Sequence, residues 1–137
     1  MGKINVGKVI VGGIVAGIVM NGLDYVINEM LLKDMMTATL QARNIDPAAL
    51  SIPTMVALDF AMALLLVFTY AAIRPRFGAG PKTAIVAGLL LALVTSTLAA
   101  YFVGMGFFTW NDWMPNAALS TINLCVSALA GCALYKE

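Results

Sequence analysis

Two aspartates stand where a polypeptide rarely keeps a charge. Asp24 and Asp59 each fall inside, or at the edge of, a stretch that is otherwise apolar and long enough to cross a bilayer. An ionisable side chain in hydrocarbon is costly and pairs with another group or faces water, so such residues point to ion or proton binding. Two carboxyl groups sharing a low-dielectric site are held together most easily by one proton or one bound cation. A plainer reading has the same physical standing: both acids edge their helices at the outer interface and bond Asn21, Thr54 or water. Asp59 is expected in the first turn of its helix, where the helix dipole favours a carboxylate.

Other chemistry is thin. The chain has no histidine, which removes the commonest general base and metal ligand. Cys125 and Cys132 are seven positions apart in the last apolar stretch and read as small packing residues, because two thiols without a further soft ligand make a poor metal site. Gly78-Ala-Gly80 precedes Lys82-Thr83 but lacks the strand and spacing of a phosphate-binding loop, so it reads as turn chemistry. Arg74, Arg76 and Lys82 set topology or attract anionic headgroups. The nine methionines read as deformable packing. Together these features predict a protein that is not an enzyme, with no cofactor, no metal and no nucleic-acid partner.

The elements that must position the two acids follow from composition. Hydrophobic residues make up 61% and charged residues 11% of 137, with a mean hydropathy of +0.92, where a soluble domain has about 25% charged. Apolar stretches at about 9–30, 55–73, 83–107 and 113–135 approach the roughly 20 residues needed to span hydrocarbon. The expected fold is all-α: a single transmembrane domain, an integral membrane four-helix bundle with an uncleaved first helix and the lipid bilayer as its solvent. A short interfacial helix is expected at about 35–43, and Asp46-Pro47 resembles a helix start. The prolines and glycines of 74–82 should end one helix and begin the next, making an antiparallel hairpin.

Lys3, Lys8, Arg74, Arg76, Lys82 and Lys136 fall on one side of this topology, and Lys33 and Arg43 on the other. That bias places both termini in the cytoplasm. Trp110 and Trp113 suit the outer aromatic belt. Counting from the nearest cytoplasmic basic residue, Asp24 and Asp59 stand about 24 and 22 Å deep, and Thr95 and Asn123 about 20 Å. Asp24, Asp59, Asn21, Thr95 and Asn123 therefore form a candidate ligand or ion layer in the outer half. Small and polar residues recur at helical spacing: Gly13, Gly17, Asn21, Asp24 and Asn28 in the first stretch, Ala84, Gly88, Ala92, Thr95 and Ala99 in the third. In the fourth the series is Asn116, Ser120, Asn123, Ser127 and Gly131. Gly13, Gly17, Gly88, Ser127 and Gly131 are the expected helix-packing positions.

The segments Val11-Gly-Gly-Ile-Val-Ala-Gly-Ile18, Tyr70-Ala-Ala-Ile-Arg-Pro-Arg-Phe-Gly-Ala-Gly-Pro-Lys-Thr-Ala84 and Leu129-Ala-Gly-Cys-Ala-Leu-Tyr-Lys136 resemble a group of small four-helix bacterial inner-membrane proteins of unassigned function. The resemblance covers most of the chain, with the arginine-proline loop its most specific part. It implies size, four-span topology and a bacterial inner membrane, and no activity. Three functions remain open from the sequence. The first is association through helix packing, as a homo-oligomer or as an accessory subunit with a membrane-protein partner. The second is a small transporter or channel using the polar layer. The third is a site for a lipid- or quinone-like ligand between helices.

Overall fold

The computed structural model describes residues 3–136, and every regular element among them is helical. Helix α1 (Val6–Val26) continues into a single π-helical turn, Ile27–Leu31. A short α2 (Lys33–Ala42) and a 3₁₀ turn (Pro47–Ala49) lead to α3 (Ile52–Phe77), followed by α4 (Pro81–Gly104) and α5 (Trp110–Cys132). Among the described residues, three segments are long and apolar enough to cross a membrane: Val6–Leu31, Ile52–Phe77 and Pro81–Gly104. Helix α5 matches them in length but carries Asn116, Ser120, Thr121, Asn123 and Ser127 along its course, so it is the most polar of the long helices.

Local chemistry sets the ends. Asn5 caps α1 by accepting from the Lys8 N–H at 3.1 Å, and Thr109 with Asp112 forms a reciprocal capping box at the start of α5. Helix α3 runs through Pro75 rather than stopping at it, because that proline forfeits only its own bond to the Ala71 carbonyl. The stop comes where Gly78 takes φ of 83° and Gly80 takes 133°. The Thr83 hydroxyl then donates to the Gly78 carbonyl at 2.7 Å, tying the end of α3 to the first turn of α4. Helix α3 begins at Ile52, so Asp59 lies beyond its first turn. The helix-dipole account of that residue therefore fails.

Helix α1 packs against α3 and α5, and α4 packs against α5 and α3. Absent Cβ atoms permit the closest approaches. A Cβ on Gly12 would sit 2.6 Å from the Gly131 carbonyl oxygen, and one on Gly131 would sit 2.5 Å from that of Gly12, so α1 and α5 cross backbone to backbone there. Gly13 accommodates Leu64 and Gly17 accommodates Phe60, both on α3, while Gly88 of α4 meets the Cys125 backbone of α5. Adjacent glycines thus differ in their neighbours: Gly12 lies closest to α5 with Val67 of α3 next, and Gly13 faces α3. Of the expected packing positions, Gly13, Gly17, Gly88 and Gly131 lie at these seams, Gly12 joins them, and Ser127 is fully buried.

Burial is concentrated in one half. The core spans Val9 to Met20 of α1, Ala63 to Ala71 of α3, Thr83 to Ala92 of α4 and Asn123 to Cys132 of α5. All four segments lie towards the end that carries the chain termini, here the near half. There the Tyr135 hydroxyl accepts from the Asn5 N–H at 3.1 Å, the Tyr70 hydroxyl accepts from the Gly80 N–H at 3.1 Å, and the two rings meet edge to face at 6.0 Å. In the far half Ile27 and Leu32 are buried, whereas Leu58, Leu93, Val94, Leu98, Met114 and Ile122 are exposed.

Candidate functional site

Asp24 sits one turn beyond Met20, the last buried residue of α1, and Asp59 one turn before Ala63, the first buried residue of α3. Both therefore project at the rim of the packed half, where α1 and α3 are neighbours. Their carboxyl groups are near enough to influence one another. Two carboxylates so placed repel unless a proton or a cation is shared between them.

Helix α5 supplies the third side. Asn123, 3% exposed, donates from Nδ2 to Asp24 Oδ1 at 2.7 Å and to the Met20 carbonyl at 3.2 Å. Its own Oδ1 accepts from the Ser127 hydroxyl at 2.9 Å. A continuous polar chain therefore runs Ser127, Asn123, Asp24, Asp59 and joins three helices between apolar surfaces. Buried amides and hydroxyls are tolerable there because each has a partner. The α-helical winding of α1 gives way to the π turn three residues past Asp24, and the Asn28 side chain donates to the Asp24 carbonyl at 2.9 Å. Single π turns are frequent at functional sites and re-aim the side chains around them.

The remaining layer residues go elsewhere. Asn21 turns back on its own helix, donating to the Gly17 carbonyl at 2.9 Å. Thr95 donates to the Leu91 and Ala92 carbonyls of α4 and lines a separate cavity between α2, α4 and α5. The structure thus brings together Asp24, Asp59 and Asn123, and places Asn21 and Thr95 outside that chain of bonds. Ser127, expected for packing alone, belongs to it. Its spacing of four from Asn123 was visible, but not that its hydroxyl would orient the amide.

Cys125 is half-buried and Cys132 buried, both as free thiols, and no group of three or more potential metal-ligating side chains occurs among the described residues. No family model matches the chain, and no curated protein or solved structure is significantly similar to it. The site therefore rests on its own geometry.

Proposed function

We propose that this chain is a non-enzymatic, four-span protein of a bacterial inner membrane, with both termini cytoplasmic, in which the Asp24–Asp59 pair binds and releases a proton or cation in transport. The observation that carries this reading is the meeting of two carboxyl groups from different apolar helices, with an amide from a third donating to one of them. At 23 residues α5 is about 34 Å long, enough for a fourth span, and its most polar central groups, Asn123 and Ser127, turn inward. Lys8, Arg74, Arg76 and Lys82 cluster at the near ends of their helices, which supports a cytoplasmic near half.

The pair sits where the packed half meets the open half, and both side chains are half-buried rather than enclosed by the core. Removing the proton leaves two negative charges in contact, a state that a cation would relieve. Reconstituted in liposomes with an internal pH dye and an imposed potential, the protein is expected to pass protons or alkali cations. That flux should fall at least about tenfold in Asp24→Asn and in Asp59→Asn, a loss of roughly 1.4 kcal/mol in the rate-limiting step. Undiminished flux through the double variant would falsify the proposal, provided circular dichroism finds both proteins equally helical.

A second reading, association with another copy or with a membrane partner, draws support from the uncovered far half, where α4 beyond Ala92 buries no residue. The small-residue seams are taken up within the chain and do not contribute to it. Native mass measurement after mild extraction tests it; a strictly monomeric species sinks it.

A further inference from the structure

The far half contains a second feature that does not depend on the carboxyl pair. A cavity of about 290 Å³ lies between α2, α4 and α5, at the small end of the roughly 300–1,000 Å³ usual for small-molecule sites. Its wall combines three kinds of surface. Met35 and Met36 of α2 offer soft, adaptable contacts, and Phe108 and Trp113 offer aromatic ones. The Trp113 indole is fixed, because its N–H donates to the Ser96 carbonyl at 3.0 Å and its ring meets Trp110 edge to face at 5.5 Å.

The polar part of the wall is biased towards accepting. The hydroxyl protons of Thr39 and Thr95 are donated to carbonyls of their own helices, and that of Ser120 to the Asn116 side-chain oxygen at 3.2 Å, which leaves oxygen lone pairs for a guest. Among the described residues, Asp112 is the one charged side chain in the wall. No basic side chain lines it. Arg43, at the same end of the molecule, stacks over the Phe107 and Phe108 rings at 5.3 and 4.8 Å. With the Phe108 ring already stacked by Arg43, the Trp113 ring beside the Asp112 carboxylate is the aromatic surface that favours a weakly hydrated organic cation.

From this arrangement we infer that the cavity binds a small lipophilic cation of the aryl-ammonium type, its apolar body between the methionines and Trp113 and its charged end towards Asp112. Two tryptophans occur in the chain, so Trp110→Phe leaves Trp113 as a fluorophore in the cavity wall. In the full-length protein carrying that change, para-bromobenzyltrimethylammonium should quench Trp113 saturably. It should do so at least about tenfold more tightly than para-bromobenzylsulfonate, an anion of similar size. Ala117→Leu, which fills the cavity, should abolish saturation while helicity is retained, and Asp112→Asn should erase the preference for the cation. Because Asp112 also caps α5, Ala117→Leu carries the test if that variant frays. Quenching that is linear in probe, equal for the two ions, or still saturable in Ala117→Leu overturns the inference.

Discussion

The near and far halves of this molecule are made from the same four long helices, yet they pack in different ways. In the near half glycine, alanine and serine make the closest approaches, Gly12 on Gly131 and Gly88 on the Cys125 backbone, with Ala16, Ala63, Ala87, Ala128 and Ser127 fully buried around Leu66 and Val67. Both halves present large side chains outward, Ile10, Ile14, Ile18 and Leu65 in the near half and Leu58, Leu93, Val94, Leu98, Met114 and Ile122 in the far half, but the far half buries little besides Ile27 and Leu32. Large side chains need not turn inward when the surroundings are apolar, because hydrocarbon solvates them as well as a core would. Close approach then depends on where bulk is missing, and bulk is missing mainly in the near half. The carboxyl pair lies at the boundary between the two regimes.

Substitutions can break or sharpen that contrast. The largest effect is expected for Gly131→Leu, whose Cβ would sit 2.5 Å from the Gly12 carbonyl oxygen. It should destabilise the fold by about 3 kcal/mol, the upper end for overpacking, as read by thermal unfolding in detergent. Next is Asn123→Leu, which removes the donor to Asp24 and the acceptor for Ser127 at similar side-chain volume. A cost of about 1–2 kcal/mol is expected from the same melt, together with a change in the carboxyl stretching band of Asp24 in the infrared. Tyr135→Phe deletes the oxygen that receives the Asn5 N–H and should cost about 1 kcal/mol, accompanied by faster amide exchange at Asn5. The smallest effect belongs to the far half: nothing lies within 4 Å of a Cβ on Gly22. Gly22→Leu should shift stability by no more than about 0.5 kcal/mol. If it cost as much as Gly131→Leu, the two halves would not differ as described.

Much of the fold could be read from the sequence because hydrophobic runs, capping residues and glycine-proline punctuation act locally. The helix found at Lys33–Ala42 falls where Met35, Met36 and Leu40 predict one, and the 74–82 turn joins α3 to α4 as an antiparallel pair. Boundaries moved where a local rule was weaker than the helix. Pro75 lies inside α3, and Ile52 rather than Met55 opens it, which takes Asp59 out of the first turn. Asp46 does begin an element, though only a 3₁₀ turn, with its carboxylate accepting from the Ala48 N–H at 2.9 Å. The double role of Gly12 and Gly13 was also latent in the sequence. Adjacent positions differ by about 100° around a helix and so address different neighbours.

The sequence alone determined that the chain is helical and apolar, that its small residues line particular faces, and that Asp24, Asp59 and Asn123 stand at similar depth. Helical period assigns a residue to a face; it does not say which neighbour that face meets, which depends on how each helix is rotated and crossed. Only the tertiary structure decided that Asp24 meets Asp59 and Asn123 while Asn21 and Thr95 stay apart. Donor chemistry explains the division. An asparagine amide or threonine hydroxyl can satisfy itself on the carbonyl one turn back, as Asn21 and Thr95 do. An ionised carboxylate has no proton to give that carbonyl, and in mid-helix it lacks the free N–H groups that serve Asp46 and Asp112 at their helix starts, so Asp24 takes its donor from Asn123 of α5.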